Sequence, residues 1–272
     1  MADLKDIADR LIAAHDRATM LPPITSSAPG FSVADGYAVL HDIEARRHAQ
    51  GWKPVGRKIG FTNRTIWPRY GVYQPMWAHV WTHTGHFAPD GKAALPLTSF
   101  VLPRIEPEVV FKLKGPVPAG DDPLAILAAA EWIAPGFEIV QSHFPDWKFT
   151  AADCAAAFGL HGALVVGPPL AITDGNRARL AAVLPAFQVT LSRAGKVIDR
   201  GVGANVLGSP ALALAHLARV LADQTIAPPL TAGEIVTTGT ITDAWPVAPG
   251  ETWSSDYGEL GLTGLTLTFD AL

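Results

Sequence analysis

The sequence predicts an α+β protein with a β-rich, mixed-sheet core and helices packed outside it. From residue 96 onward, short apolar runs bounded by proline and glycine are typical of strands. Only a few stretches, residues 124–132 and 211–223 among them, have the composition and spacing of helices. With 272 residues, 49% of them hydrophobic, the chain can bury a sizeable core.

The N-terminal part is predicted to be a small helical section at residues 1–52, followed by a larger domain at residues 53–272. Residues 3–18 carry apolar side chains at helical spacing, with charges between them. Ser32 has the side chain of an N-cap and opens a second helix that ends before Gly51. This pattern indicates amphipathic packing and no chemistry.

The larger domain is predicted to alternate strands with short helices. The elements expected are a strand at 55–62, a helical turn at 151–157, a buried strand after 161, a hairpin at 186–203 with its turn at 194–195, and strands at 234–239, 252–257 and 265–269. A Ser-Pro pair at 209–210 is expected to begin the helix at 211–223.

Composition excludes several classes of partner. The net charge of -4 and the pI near 6.1 leave no basic patch, which argues against nucleic acid. No apolar run is expected to approach the roughly 20 residues of a membrane span. The N-terminus is acidic where a signal peptide would be basic, and the single Cys154 fits a reducing compartment. We therefore expect a cytoplasmic protein with neither a nucleic-acid nor a membrane partner.

Two neighbouring glutamates are the most informative feature. Glu106 and Glu108 lie two residues apart in a strand-like run, so their side chains share one face. Adjacent carboxylates repel unless a cation or a proton lies between them. Glu138 stands inside a second strand-like run, and three carboxylates on buried strands suit Mg²⁺ or Mn²⁺. The alternative is the solvated face of an edge strand, with Pro107 marking that edge.

Lys58 is the candidate proton-transfer residue. It lies in a glycine-flanked strand among apolar neighbours, where desolvation could lower its pKa towards the range useful for proton transfer. The alternative is a surface lysine on an exposed strand face.

An ordered set of motifs is more specific than any one of them. The motifs are GRKIGFT (56–62), PRIEPE (103–108), FEIV (137–140), DWK (146–148), VLGSP (206–210) and AGEIVTTG (232–239). Together they resemble the 2-keto-4-pentenoate hydratase / 4-oxalocrotonate decarboxylase family of the fumarylacetoacetate hydrolase superfamily. The resemblance runs from about residue 5 to the C-terminus.

The resemblance implies a role for each matching residue. The three glutamates match the carboxylate ligands of Mg²⁺ or Mn²⁺, and Lys58 matches the lysine proposed to transfer protons beside the substrate. Thr238 and Gly239 match the loop that helps to hold the substrate carboxylate. The resemblance further implies the superfamily's β-rich mixed core, a small-molecule 2-keto or 2-hydroxydienoate acid as substrate, and assembly as a homo-oligomer.

The chain departs from the family pattern at two places. Tyr73 and Met76 stand where the family usually has aspartates, which indicates either a bulkier, less polar substrate or neutral loop drift. His161 lies where an Asp-Asn-Ala-Ser-like run is common, and Phe158 and Leu160 also replace polar positions. His161 could donate to the substrate or act as a second acid/base group, and the alternative is an ordinary hydrogen-bonded loop histidine.

Four functions follow from these residues. The leading one is a metal-dependent hydratase of 2-hydroxy-2,4-dienoates of the sort formed in aromatic catabolism. Next come a decarboxylase of 2-oxo dicarboxylates and a C–C bond hydrolase of acylpyruvate-type substrates, the latter favoured only by His161. A non-catalytic partner subunit is the last. A cation that stabilises negative charge on the C2 oxygen would serve all three reactions, so the surrounding residues must choose among them.

Overall fold

The computed structural model describes residues 3–271, apart from the side chain of Arg69. The α-helices found in that range are α1 (Leu4–Asp16), α2 (Ile24–Ser27), α3 (Val33–Ala49), α4 (Trp67–Tyr70), α5 (Pro123–Ala128), α6 (Ala151–Ala156), α7 (Asp174–Val183) and α8 (Pro210–Ala222). The strands are β1 (Pro54–Gly60), β2 (Met76–Trp81), β3 (Gly85–Phe87), β4 (Lys92–Leu95), β5 (Arg104–Leu113), β6 (Ala130–Val140), β7 (His161–Val166), β8 (Leu170–Ala171), β9 (Gln188–Arg193), β10 (Lys196–Val202), β11 (Ile235–Thr237), β12 (Trp245–Pro246), β13 (Thr252–Asp256) and β14 (Thr266–Phe269).

These strands form two mixed sheets, as the α+β prediction requires. Across residues 3–271 the larger sheet has nine strands, in the order β2-β1-β11-β5-β6-β7-β3, with β12 beside β5 and β8 beside β6. The smaller sheet has five strands, in the order β10-β9-β13-β14-β4. Parallel and antiparallel pairs occur in both sheets, since β1 runs parallel to β11 and β14 runs parallel to β4.

The two longest strands, β5 and β6, pair antiparallel at the centre of the larger sheet. Most of their residues are buried, in keeping with the apolar runs Val109–Phe111 in β5 and Ile139–Val140 in β6. Pro107 therefore lies in an interior strand between β11 and β6, and the solvated-edge alternative for Glu106 and Glu108 is wrong.

The N-terminal helices begin where the sequence predicts them. Asp3 caps α1, and Ser32 with Asp35 forms a capping box at the start of α3. Gly36 lets α3 lie against α6, because a Cβ there would come within 2.5 Å of the Ala152 carbonyl oxygen. The apolar face of these helices shares one hydrophobic cluster with the main body, so a separate section at residues 1–52 stays a prediction.

One predicted helix is wrong over its second half. Helix α5 ends at Ala128, and residues 130–132, expected to be helical, already belong to β6. Trp132 pairs with Lys112 of β5 in the ladder. Pairing with β5, together with the strand preference of tryptophan and isoleucine, outweighs the helix propensity of the small residues that precede Trp132.

The predicted hairpin of β9 and β10 is confirmed. Lys196 pairs with Arg193 across the turn, and Ala194 and Gly195 both have positive φ (48° and 78°). Two consecutive positive φ angles are what a tight primed turn between twisted strands requires.

The stretch Gly203–Ala222, which contains α8, is long and apolar enough by length and composition to cross a membrane, contrary to the expectation from the sequence. However, 61% of its most apolar window is buried inside the protein, as in the core helix of a globular domain. Its inward residues, Leu214 and Leu217 among them, pack in the main hydrophobic cluster.

Candidate metal centre and active site

The register of β5 and β6 brings the three predicted carboxylates together. Glu106 is directly opposite Glu138, and Glu108 is opposite Gly136. Since residues two apart on a strand share a face, all three side chains project to the same side of the sheet. Each of the three offers an oxygen within 4.8 Å of the others.

Two of these carboxylates are completely buried, and in each only one oxygen accepts a hydrogen bond from the described residues. Glu108 accepts a hydrogen bond from the Gly239 N–H at Oε2 (2.7 Å), and Glu138 accepts one from the His161 ring at Oε1 (2.8 Å). Within the described part of the chain, Glu108 Oε1 and Glu138 Oε2 have no hydrogen-bond donor. Buried carboxylate oxygens without donors are costly unless a cation binds them.

The backbone shapes the loop that satisfies Glu108. Gly239 has a φ of +95°, and a Cβ there would lie 1.9 Å from the Thr62 hydroxyl oxygen. Glycine is therefore required both for the backbone angle and for the close approach. The neighbouring Thr238 turns away, because its hydroxyl donates to the Val109 carbonyl (2.9 Å).

Burial raises the pKa of all three carboxyls above the ordinary value for glutamate. Repulsion from Glu138 raises the pKa of Glu106 and Glu108 further. Lys58 opposes this shift at each of the three. The single positive charge of Lys58 does not return the carboxyl pKa values to their ordinary range. The cluster therefore favours binding of protons or of a further cation.

Lys58 lies on β1 and is buried, so the alternative of a surface lysine on an exposed strand face is wrong. Its Nζ donates to the Gly159 carbonyl oxygen (3.0 Å) and lies 3.4 Å from Glu138 Oε2. Gly159 occupies a turn in which Phe158, Gly159 and Leu160 all have positive φ (56°, 57° and 65°). For the two non-glycine residues such backbone costs on the order of 1–3 kcal/mol each and is typical of functional sites.

The pKa of Lys58 is shifted in the direction opposite to the expected one. Burial lowers it, as the sequence suggested, but the charges of Glu138, Glu106 and Glu108 outweigh burial and raise it overall. A cation bound to the three carboxylates would offset their charge and leave burial as the main influence on the lysine.

A cavity of ≈ 190 Å³ opens beside this centre. Lys58, Glu106 and Arg104 line its polar part, with Thr240 and Asp243. The polar part thus joins the candidate metal ligands to a buried amine, which is a combination suited to binding an anionic acid and moving a proton on it.

The remaining wall of the cavity is largely apolar. Its larger apolar side chains are Phe61, Ile66, Tyr70, Met76, Val140, Trp147, Phe149 and Leu160, and Thr62, Asn63 and Thr242 add polar groups to the lining. Sequence reasoning singled out Met76 and Leu160 among them and missed most of the others. The one local signal was the DWK motif, whose Trp147 carries the Arg104 guanidinium 4.2 Å from its ring centre.

The structure separates the other predicted site residues. Met76 and Gly239 line the cavity, whereas Tyr73 (76% exposed), Thr238 and His161 are absent from its described lining. His161 lies behind Glu138 and is 4% exposed, and both of its ring nitrogens are occupied by Glu138 and Thr84. Direct proton transfer from His161 to a substrate stays a prediction that this geometry does not favour.

Comparison with known proteins shows which proteins the chain is similar to. The profile described as "Fumarylacetoacetate (FAA) hydrolase C-terminal" matches residues 76–267. The chain is 32% identical to 2-hydroxyhexa-2,4-dienoate hydratase of Comamonas testosteroni, over 95% of each chain. It is also 32% identical to 4-oxalocrotonate decarboxylase of Pseudomonas sp. (strain CF600), over 87% of this chain and 86% of that one.

A solved structure is similar over nearly the whole chain. It is the 4-oxalocrotonate decarboxylase of Pseudomonas putida G7 complexed with magnesium and adipate. The TM-score is 0.87 at 26% identity, and the match covers 98% of this chain and 97% of that one.

The raised carboxyl pKa values predict how stability depends on pH. Without a bound cation, the folded state holds protons on Glu106 and Glu108 at pH values where the unfolded state has released them. The free energy of unfolding in EDTA should therefore fall as the pH rises above the ordinary glutamate pKa of 4.5 towards the raised values. Lys58, whose pKa is also raised, would lose its own contribution only above the ordinary lysine range.

Thermal unfolding midpoints in EDTA and in Mg²⁺, between about pH 5 and about pH 8, test this dependence. Mg²⁺ should raise the midpoint more at the higher pH, because protons compete with the cation for the carboxylates. Glu106→Gln is the control that should flatten the EDTA profile. Identical profiles with and without Mg²⁺ would contradict the metal centre.

Proposed function

The chain belongs to the fumarylacetoacetate hydrolase family, and we propose that it is a divalent-metal-dependent hydratase of 2-hydroxy-2,4-dienoate acids. The observation that carries the proposal is the group of three carboxylates beside a buried lysine at the end of a largely apolar cavity. The Comamonas testosteroni relative, a hydratase by name, supports the reaction class.

The proposed cation is Mg²⁺ or Mn²⁺, held by Glu106, Glu108 and Glu138. These are hard oxygen donors, and the unsatisfied oxygens of Glu108 and Glu138 fit such an ion. The magnesium in the Pseudomonas putida G7 decarboxylase supports this choice. When bound, the cation supplies a Lewis acid that stabilises negative charge on the C2 oxygen of the substrate.

Lys58 is the proposed proton-transfer residue. Its amine is held in the cavity by the Gly159 carbonyl and by Glu138. Arg104, the other cation in the described lining, has a guanidinium that stays protonated and cannot exchange a proton at ordinary pH. Lys58 would give a proton to C5 of the diene as the C2 hydroxyl loses its own proton, which leaves a 2-oxo-3-enoate; water would then add its oxygen to the electron-poor C4 and a proton to C3.

The loop of Thr238 and Gly239 is proposed to position a metal ligand, Glu108. The Gly239 N–H is already used by Glu108, so this loop would orient a metal ligand. Contact of Thr238 and Gly239 with the substrate carboxylate stays a prediction: Gly239 lines the cavity, but its N–H already donates to Glu108.

The distal end of the substrate is proposed to be apolar. Phe61, Tyr70 and Phe149 form aromatic contacts with one another at the cavity wall, with Tyr70 stacked on Phe149 at 5.4 Å. Met76 adds an apolar group where the family usually has an aspartate. A short alkyl substituent on the dienoate would be buried against this wall, whereas a second carboxylate would be desolvated there.

A decarboxylase is the second candidate function, and the position of Arg104 supports it. Its guanidinium is a cation on the cavity wall, as a dicarboxylate substrate would require, and a decarboxylase is among the relatives that are 32% identical. The C–C hydrolase alternative depended on His161 contacting the substrate, and the structure does not bring that contact about. Assembly as a homo-oligomer and a cytoplasmic location stay predictions.

The reaction is tested by product analysis of the purified protein with Mg²⁺. The panel contains 2-hydroxypenta-2,4-dienoate, an analogue with a longer alkyl tail, 2-oxohex-3-enedioate and an acylpyruvate. We expect a product heavier by one water from the two dienoates. Release of CO₂ from the dicarboxylate alone would overturn the hydratase in favour of the decarboxylase.

Lys58→Ala tests the proton-transfer assignment. We expect kcat to fall by about 10²–10⁴-fold, because a positioned acid contributes on that scale, while Mn²⁺ binding persists. Lys148→Ala is the control, since Lys148 is exposed and pairs only with Asp146 among its described neighbours. Equal rates in both variants and the wild type would remove Lys58 from the mechanism.

Met76→Asp tests the apolar wall, with Tyr73→Asp, three residues earlier in the chain, as its control. Met76→Asp should lower kcat/KM for the longer-tailed dienoate relative to 2-hydroxypenta-2,4-dienoate by roughly 10-fold, the scale of one or two methylene contacts. Tyr73→Asp should leave that ratio unchanged because Tyr73 is exposed. The reverse pattern would contradict the assignment of the wall.

A further inference from the structure

A chain of hydrogen bonds reaches Glu138 from the side away from Lys58. The Trp81 N–H donates to the Thr84 hydroxyl oxygen (3.0 Å), and the Thr84 hydroxyl lies 2.9 Å from His161 Nε2. His161 Nδ1 lies 2.8 Å from Glu138 Oε1. From these contacts we infer that Thr84 and His161 form a positioning pair that orients Glu138 as a metal ligand; the inference rests on the proposed metal centre.

The distances favour one direction for each of these hydrogen bonds. The Thr84 oxygen accepts from Trp81, so its single proton is available for His161 Nε2, which is nearer (2.9 Å) than the Trp81 carbonyl (3.3 Å). With Nε2 accepting, the proton of the neutral ring must be on Nδ1, which then donates to Glu138. Thr84 thus selects the tautomer in which His161 can hold the carboxylate.

The two carboxylate oxygens of Glu138 therefore have different partners. Oε1 is held by His161, and Oε2, which has no hydrogen-bond donor in the described chain, is left for a cation with Lys58 at 3.4 Å. Glu138 is 0% exposed, so its carboxylate has no contact with bulk solvent. A buried ligand oriented in this way would lose little conformational freedom on binding a metal.

A β-bulge brings His161 onto the correct face of the sheet. In the β6–β7 ladder Leu164 is opposite Glu138, so strict alternation would turn His161, three residues earlier, to the other face. The register shifts between Ile139 and Val140, and His161 pairs with Val140 instead. Because Val140 shares a face with Glu138, the bulge turns the imidazole towards the carboxylate.

Thr84 is held in place independently of His161. It lies in the tight turn between β2 and β3, its N–H donates to the Trp81 carbonyl (3.0 Å), and its own carbonyl accepts from the Leu164 N–H (2.7 Å). The pair therefore connects that turn, β7 and the ligand strand β6. Neither residue belongs to the described lining of the cavity, so both would act through Glu138.

The test measures the affinity of each variant for Mn²⁺ alone, by electron paramagnetic resonance, without any substrate. His161→Leu removes the donor and should weaken Mn²⁺ binding by about 10–100-fold, the usual effect of losing a partner of a metal ligand. His161→Asn keeps an N–H near the Nδ1 position and should restore most of the affinity. Thr84→Val should weaken binding, whereas Thr84→Ser, which keeps the hydroxyl, should not.

His143→Leu is the matched control. His143 is also a buried histidine (2% exposed), but its Nδ1 bonds the Thr19 carbonyl. It should change the unfolding midpoint without changing Mn²⁺ affinity. Unfolding midpoints of all the variants in EDTA separate loss of folding from loss of metal binding.

The outcomes are distinct. Wild-type Mn²⁺ affinity in folded His161→Leu, or equal effects of Thr84→Ser and Thr84→Val, would overturn the positioning pair. A wild-type protein that binds no Mn²⁺ would overturn the metal centre together with this inference. Weakened binding in His161→Leu, rescued in His161→Asn, would support the pair even if the substrate panel showed no hydration.

Discussion

The pairing of Glu106 with Glu138 across β5 and β6 is the constraint on which the site depends. Antiparallel register places the two carboxylates side by side, and Glu108 joins them on the same face. Such a cluster cannot remain charged in a buried place unless its surroundings compensate. Lys58, the Gly239 N–H and His161 each supply part of that compensation, and a divalent cation would supply the rest.

The face of the larger sheet that carries the three carboxylates is polar at one end and apolar further along the strands. Beyond the carboxylates it continues into a buried apolar cluster that contains Val110, Ala134 and Leu164. Tyr257 pins the two central strands at the boundary, since its hydroxyl lies 2.7 Å from the Glu108 carbonyl and accepts the Gly136 N–H (3.3 Å). The rigid apolar part holds the polar end in place, which a precise ligand set requires.

The carboxylate centre and the cavity wall would have different roles, the first in charge stabilisation and the second in substrate selection. A cation held by the centre would stabilise negative charge on the C2 oxygen beside the substrate carboxylate, a task common to hydration, decarboxylation and C–C cleavage. The choice among these reactions therefore depends on the wall. There the aromatic side chains favour an apolar tail, and Arg104, stacked on Trp147, is the one described cationic side chain besides Lys58. Leu160, one of the two residues with strained backbone, also lines this wall, and the strained turn directs the Gly159 carbonyl towards Lys58.

The sequence by itself determined the mixed β-rich class, the two capped helices, the shared face of Glu106 and Glu108, and the candidacy of Lys58. These follow from strand alternation, capping and motif order, which are local properties of the chain. Only the tertiary structure decided that Pro107 lies in an interior strand, that Tyr73 points away from the cavity, and that His161 reaches Glu138. Strand order, a bulge and the meeting of distant segments produce these outcomes, and they depend on contacts between residues far apart in sequence.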